Sequence, residues 1–242
     1  MRIPLTKYGW PEVVTLPVAL LVVMAVCLLV GIVYLPTWIV VAAEVILAAV
    51  LVWVLTFFRD PQRSVRDDKN ILLAPADGRI TNIDTTTEDD FIGGATLRIG
   101  IFLSIFDIHI NRAPCSVKVE KITYRRGKRK NAMNPHSGQL NESNDLGLVR
   151  TDSPEDRLIV RQISGAVARR IICKALQGQR LACGEKFGMI KFGSRTELYV
   201  SLTPNAKESV WQPKCLVQVG DKVKAGLTPL IRYEGRGTRD GR

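Results

Sequence analysis

Three segments of the sequence carry residues whose types could do nucleophilic or acid–base chemistry. Asp77 lies in Pro75-Ala76-Asp77-Gly78, a run with the composition of a turn that follows an apolar stretch. His109, one of only two histidines, stands among apolar residues, where its ring nitrogens need hydrogen-bond partners. Ser194 follows Gly193, and a glycine leaves its own carbonyl and the next residue open to close approach. An Asp, a His and a Ser that meet in space could activate a nucleophile.

Each of these residues also has a plain structural interpretation. An Asp in a turn usually bonds the backbone, and most Gly-Ser pairs are only turns. A histidine in a strand is about as often a satisfied core residue as a catalytic one. The sequence therefore offers a candidate triad without placing its members together.

The elements that position these residues begin with two apolar runs at the front of the chain. Val13 to Leu35 holds no charge, and Thr37 to Phe58 holds only Glu44. Each run can cross a hydrocarbon core of about 30 Å, and Pro36 between them predicts a tight turn. We expect residues 1–58 to form a membrane anchor of two hydrophobic helices that spans the bilayer or dips into one leaflet. Glu44 should lie near the turn or face the partner helix.

The charge of the chain lies almost wholly in the body, residues 59–242. The sequence has 34 Lys and Arg against 23 Asp and Glu, a net charge of +11. Such an excess indicates nucleic acid, an anionic membrane surface or an acidic substrate. The predicted anchor favours anionic lipid, since basic residues beside a membrane gain about 1 kcal/mol each from acidic headgroups, and we expect no nucleic acid partner. A basic cluster after the second run predicts a body on the cytoplasmic side of the cell (inner) membrane. That cluster comprises Arg59, Arg63, Arg66 and Lys69.

The body is predicted to be mainly β (α+β), because its apolar residues come in short runs between turn signals. The clearest runs are Thr96 to Leu103, Val117 to Tyr124, Leu158 to Ile163 and Leu198 to Leu202. Val167 to Leu176 could be strand or helix, and Asn131 to Asp145 is predicted as a long loop. The five cysteines contain no C-x-x-C pair, so we expect no metal site.

A turn near the end of the chain adds a feature of the fold. Val219-Gly220-Asp221-Lys222 resembles the hairpin turns of lipoyl and biotinyl carrier domains. The carrier lysine flanked by methionine is missing, which argues against a non-enzymatic lipoyl-like module held at the membrane. We therefore predict a catalytic body with lipoyl-like hairpin features.

The segments taken together resemble the phosphatidylserine decarboxylase family, specifically its short (type A) form. The resemblance spans most of the chain and rests on four motifs in order behind a hydrophobic anchor. These are Phe57-Phe58-Arg59-Asp60-Pro61, Pro75-Ala76-Asp77-Gly78, Phe102-Leu103-Ser104 with His109, and Phe192-Gly193-Ser194-Arg195.

The resemblance implies a self-processing enzyme. His109, oriented by Asp77, would activate the Ser194 hydroxyl to attack the Gly193 carbonyl, and the chain would split into 1–193 (beta chain) and 194–242 (alpha chain), which remain together as a heterodimer. Ser194 would become a covalent pyruvoyl cofactor, with no metal needed. A Schiff base on this group would decarboxylate phosphatidylserine in the membrane to phosphatidylethanolamine and carbon dioxide.

One position departs from the longer members of the family, which carry a second histidine three residues after the first. Here that position is Arg112, so His109 serves both steps or another group, such as His136, supplies the second proton. Arg112 and His136 are therefore candidates for substrate support. The competing interpretation is a membrane-anchored serine hydrolase that keeps Ser194 intact, although the G-x-S-x-G elbow is absent.

Overall fold

The structure is a computed structural model of the chain. It describes residues 4–128, 130, 140–152, 156–165, 170–191, 193–202 and 211–235. The chain divides into two compact units, Met1–Gln62 and Arg63–Arg242. The first unit extends past residue 58 because the next residues bond back to the start of the chain; the Asp60 N–H donates to the Pro4 carbonyl at 2.7 Å.

The first unit is a helical hairpin, as the sequence predicts. Helix α1 spans Glu12–Tyr34 and helix α2 spans Thr37–Phe57. Both helices are long and apolar enough to cross a membrane. They approach closely near the turn, where a Cβ on Gly31 would lie only 2.8 Å from Cγ2 of Val40.

The second unit is a β body whose strands pair antiparallel. The described strands are β1 Ile71–Leu73, β2 Gly78–Glu88, β3 Gly94–Leu103, β4 Ile110–Arg112, β5 Val117–Arg125, β6 Ser143–Arg150, β7 Arg157–Ile163, β8 Ile171–Cys173, β9 Arg180–Leu181, β10 Lys186–Ile190, β11 Ser194–Ser201, β12 Trp211–Cys215, β13 Lys222–Val223 and β14 Pro229–Gly235. An eight-stranded sheet has the order β13-β2-β3-β11-β7-β6-β5-β9, and two three-stranded sheets have the orders β1-β14-β12 and β4-β10-β8.

Strand β11 lies inside the large sheet, between β3 and β7, and all eight of its residues are buried. Side chains alternate between the two faces of a strand. One face of β11 joins the main apolar core through Leu198 and Val200. The other face presents Arg195, Glu197 and Tyr199, so the sheet has an apolar face and a buried polar face.

The predicted β character of the body is confirmed. The clearest apolar runs lie in strands, except that the last run extends one residue past β11, to Leu202. The turn at Gly220 adopts a left-handed conformation with φ +100° before the short strand β13. The ambiguous segment contains strand β8, while residues 166–169 lie outside the described residues. Most of the predicted loop, residues 131–139 with His136, also lies outside them.

Candidate active site

Ser194 is the first residue of β11 and is completely buried. It pairs with Leu103 at the end of β3. Strand alternation places its side chain on the core face, together with Thr196 and Leu198. Among the residues that the structure describes, its hydroxyl oxygen finds no hydrogen-bond partner. Because buried hydroxyls are normally satisfied, this oxygen marks a candidate for function.

Gly193 precedes this serine in a left-handed conformation, with φ +61°. Residues with side chains rarely adopt such a backbone, so the position requires glycine. Among the described residues other than its chain neighbours, the heavy atom nearest to a Cβ placed there would be Cγ2 of Ile105, at 3.9 Å. The Gly193 N–H donates to Nε2 of His109 at 3.3 Å. The imidazole therefore lies beside the residue that precedes Ser194.

His109 is fully buried just before β4, and its carbonyl accepts the Ile190 N–H from the end of β10 at 3.2 Å. Its Nδ1 lies 2.9 Å from the carbonyl oxygen of Asp107. A carbonyl can only accept, so Nδ1 carries the proton, and Nε2, which faces the Gly193 N–H, carries the lone pair. The arrangement describes a neutral imidazole with its basic nitrogen toward Gly193.

Asp77, predicted to orient His109, is bound by other groups. Arg63 holds its carboxylate in a bidentate pair, with Nη1–Oδ1 at 2.6 Å and Nη2–Oδ2 at 2.7 Å. The Ala225 N–H donates to Oδ1 at 2.8 Å. The pair is nearly buried, with side-chain exposures of 7% and 10%, and it ties the start of the body to the segment after β13. A role of Asp77 in orienting His109 stays a prediction.

Arg112 is buried on β4, and its Nη1 donates to the Gly184 carbonyl at 3.0 Å in the turn before β10. Its backbone N–H donates to the Pro75 carbonyl at 2.9 Å. The backbone of the Pro75-Gly78 turn thus packs against the strand that follows His109. The guanidinium braces the Gly184 turn, and its contribution to substrate binding stays a prediction.

A chain of buried side-chain amides lies next to Ser194 and was not predicted from the sequence. The Asn144 amide donates to Gln162 at 3.1 Å, Gln162 donates to Asn111 at 2.9 Å, and Asn111 donates to Thr196 Oγ1 at 2.9 Å. Asn111 lies two residues from His109 and Thr196 two residues from Ser194. Satisfied buried networks of this kind fix side-chain positions, so this chain holds the strands that carry His109 and Ser194.

Arg195 and Glu197 form a fully buried ion pair on the opposite face of β11, with Nε–Oε1 at 2.7 Å. Arg195 also donates to Thr81 Oγ1 at 2.6 Å and to Asn82. The guanidinium fits only because residue 100 is glycine, whose Cβ would lie 1.9 Å from Nη2. The two opposite charges two residues apart, in a strand with no other charged residue, were a signal for this pair.

Tyr199 and Arg161 extend the buried polar face of β11, where the phenol of Tyr199 is held in its protonated form. Burial raises the pKa of Tyr199, and the neighbouring Glu197 carboxylate acts in the same direction. The phenol therefore stays protonated and donates to Oε2 of Glu197 at 2.7 Å. Arg161 donates to the same phenol at 3.0 Å and pairs with Asp145. The second residue of β11 is thus anchored in a network that reaches β7 and β6.

The structure brings His109, Gly193 and Ser194 together, while the Asp77 carboxylate is engaged by Arg63. His136 and Phe192 lie outside the described residues. Within the described ranges, no group of three or more His, Cys, Asp or Glu side chains is placed to bind a metal ion.

Comparison with known proteins gives one consistent family. The family model described as phosphatidylserine decarboxylase matches residues 50–230. A "phosphatidylserine decarboxylase proenzyme" from Symbiobacterium thermophilum is 38% identical over 96% of this chain and 97% of its own length. A protein of the same name from Carboxydothermus hydrogenoformans is 39% identical over 76% of this chain and 81% of its own length. Another from Desulfotalea psychrophila is 42% identical over 73% of this chain and 77% of its own length.

Proposed function

Because the chain belongs to the phosphatidylserine decarboxylase family, we propose that it cleaves itself between Gly193 and Ser194. The pyruvoyl group derived from Ser194 then serves to convert phosphatidylserine to phosphatidylethanolamine and carbon dioxide. The enzyme is a carboxy-lyase of phospholipid metabolism. The observation that carries the self-cleavage is the unsatisfied Ser194 hydroxyl, which follows a glycine bonded to a neutral imidazole.

His109 acts as the general base in this proposal. The 3.3 Å contact from the Gly193 N–H to Nε2 is long for a hydrogen bond, so it exchanges readily for the Ser194 hydroxyl. Nε2 then accepts the hydroxyl proton. The Asp107 carbonyl, which already receives the Nδ1 proton, stabilises the imidazolium that results.

The bonds change in two stages. The Ser194 oxygen attacks the carbonyl carbon of Gly193, so that a C–O ester bond forms and the peptide C–N bond breaks. The proton held by His109 passes to the released nitrogen. Loss of the Ser194 α-proton then expels the Gly193 carboxylate, and water replaces the nitrogen of the dehydroalanine, which leaves as ammonia.

The residues around Ser194 fit a prosthetic group made in place. The hydroxyl is buried, it has no partner among the described residues, and the strand behind it is fixed on both sides. When formed, the pyruvoyl group would supply a ketone that can act as an electron sink for decarboxylation of an amino acid headgroup. His109 is placed to move a proton at Nε2, and Arg112 and His136 are the candidates for holding the substrate.

The two chains made by this cleavage should remain one heterodimer. Strand β11 pairs with β3 from Ser194 to Ser201 and with β7 from Arg195 to Val200. The cut precedes the strand, so the ladder bonds from Arg195 onward would survive it, and only the N–H of Ser194 would be lost with the released ammonia. Residues 194–242 would leave residues 1–193 only on global unfolding.

We place the enzyme at the cell (inner) membrane with its body in the cytoplasm. The two apolar helices support membrane association, and the basic cluster after α2 supports the cytoplasmic side. One member of that cluster, Arg63, also pairs with Asp77. The substrate would be phosphatidylserine in the same membrane.

Intact mass spectrometry and a denaturing gel test the proposal. The parent should give two chains, 1–193 and 194–242, and the second should lack a primary amine at its N-terminus. Ser194→Ala should remain one chain, whereas Ser201→Ala, a buried serine at the other end of β11, should be cleaved like the parent. Release of labelled carbon dioxide from carboxyl-labelled phosphatidylserine measures the activity.

The serine hydrolase interpretation predicts the opposite pattern. A hydrolase would keep one chain and an intact Ser194 that a fluorophosphonate labels. An active parent in a single uncleaved chain would overturn the proposed self-cleavage.

A further inference from the structure

We propose that Ile105 and Phe106, on the turn between β3 and β4, contact the lipid bilayer beside the Ser194 site. The inference rests on the proposed function, because it concerns how a membrane lipid reaches a buried residue. The turn itself is defined as residues Ser104 to Asp107 and is called the 104–107 turn below.

Both side chains are exposed and lie next to each other in the chain. Phe106 is 68% exposed and Ile105 is 40% exposed. Of the phenylalanines that the structure describes, Phe106 alone is classed as exposed. Single exposed apolar residues are common on protein surfaces. What sets this pair apart is its position beside Ser194 and the hydrogen bonding of its backbone.

Three of the four backbone N–H groups of the 104–107 turn are bonded inside the turn. The Asp107 N–H donates to the Ser104 carbonyl at 2.9 Å, and the Ser104 N–H donates to the Asp107 carboxylate at 2.8 Å. The Phe106 N–H lies 3.3 Å from Ser104 Oγ. Groups bonded inside the turn need no water, which lowers the free energy required to press the turn into an apolar medium.

The same turn lies beside the active site. Leu103, just before it, pairs with Ser194, and the carbonyl of Asp107 holds Nδ1 of His109. Among the described residues other than its chain neighbours, Ile105 comes nearest to a Cβ placed on Gly193. A bilayer contact here would bring lipid headgroups next to the residues that process them.

A bilayer fits this surface better than a second protein does. The substrate of the family is a lipid whose acyl chains stay in the membrane, and helix α2 ends at Phe57, a few residues before the body begins at Arg63. The body is therefore tethered by its own chain to the membrane that holds its substrate. Aromatic and aliphatic side chains on a turn with internal backbone bonds suit the headgroup and acyl boundary.

The experiment uses the full chain reconstituted in vesicles of phosphatidylcholine and phosphatidylserine. Phe106→Ser should cleave itself like the parent. Its turnover of bilayer phosphatidylserine should fall by roughly tenfold or more, the scale expected when one large apolar side chain is no longer buried. Its turnover of a dispersed short-chain phosphatidylserine should be unchanged.

The chain offers a matched control on a second turn. Leu176 is 70% exposed, and its turn has the same pair of bonds, with Leu176 N–H to the Gln179 side chain and Gln179 N–H to the Leu176 carbonyl. That turn packs against β5, which β7 and β6 separate from β11. Leu176→Ser should leave both activities at the parental level.

A second readout does not depend on activity. Brominated phosphatidylcholine should quench the added fluorescence of Phe106→Trp and spare that of Leu176→Trp, each measured as the difference from the parent. Equal loss of activity on both substrates would make Phe106 part of the internal site, and an unquenched Trp would remove the bilayer contact. A change in oligomeric state in Phe106→Ser would instead assign the turn to a second copy of the chain. If the parent decarboxylates neither lipid, the proposed function fails, and the quenching result still decides the membrane contact.

Discussion

The variant His109→Gln distinguishes the proposed role of His109 as a general base from its structural role. Glutamine is similar in length, its oxygen can accept the Gly193 N–H, and its amide can donate to the Asp107 carbonyl, so both contacts of the imidazole can be kept. Glutamine cannot act as a base near neutral pH. The variant should therefore fold like the parent and fail to activate Ser194.

The size of the effect follows from the role. General-base assistance is typically worth about 10²–10⁴ in rate, or roughly 3–5 kcal/mol of activation free energy. The rate constant for self-cleavage should fall by that factor in His109→Gln. His109→Ala should show the same fall together with a lower free energy of unfolding, because the imidazole is fully buried and its removal leaves a cavity.

Cell-free synthesis with a short radioactive pulse gives the assay. The precursor fraction on a denaturing gel, followed over time, yields a first-order rate constant for each variant. His136→Gln is the control, because it removes the other histidine and should cleave at the parental rate. Cleavage of His109→Gln within about threefold of the parent would refute the assignment of His109 as the base.

Three other variants test the surroundings of the site. Asp77→Asn leaves the nearly buried Arg63 without a counter-charge. Urea titration should therefore show a free energy of unfolding that is lower by about 3–5 kcal/mol. Complete self-cleavage of this variant would make Asp77 purely structural. Arg112→Gln should cleave itself normally but lose much of its turnover of phosphatidylserine, and Arg112→Lys should keep part of it; equal turnover in Arg112→Gln and the parent would make Arg112 a scaffold residue. Burial raises the pKa of Asp156 to about 6, so the folded state binds this proton more tightly than the unfolded state does. Stability should therefore fall by on the order of 3 kcal/mol as the pH rises from about 4 to 6, and a slope that persists in Asp156→Asn would contradict this origin.

The helices and the strands could be predicted because their signals are local. Helices α1 and α2 begin and end within a residue of the apolar runs, since a run of that length and composition satisfies its own backbone only as a helix. The strands follow the short apolar runs, because such runs between turn signals are also a local pattern. The pairing of distant strands has no such local signal, and the order of the large sheet was not predictable.

Within the candidate site, the sequence named candidate residues, whose roles stay predictions, and it did not indicate their partners. The motif Phe192-Gly193-Ser194-Arg195 indicated Ser194, but Nδ1 of His109 is held by a backbone carbonyl, and any residue at position 107 offers one. Asp77 pairs with Arg63, which the sequence indicated only as a member of the basic cluster that favours the cytoplasmic side. The amide of Gln162 reaches Asn111 through pairing between strands far apart in sequence.

The alternation of β11 suggests how a chain cut before Ser194, as we propose, could keep this strand in place. Ser194 and Thr196 face the core side, where the Ser194 hydroxyl has no hydrogen-bond partner among the described residues. Arg195 and Glu197 face the other side, where the ion pair and its partners fix the strand. Removing one member of a buried pair destabilises strongly, so the anchoring face tolerates little change. The proposed cleavage would break the bond before Ser194 and leave the side-chain contacts of Arg195 intact. We infer that substitutions on the two faces act separately, with those at Ser194 stopping the chemistry in a folded body and those at Glu197 loosening the body around an intact site.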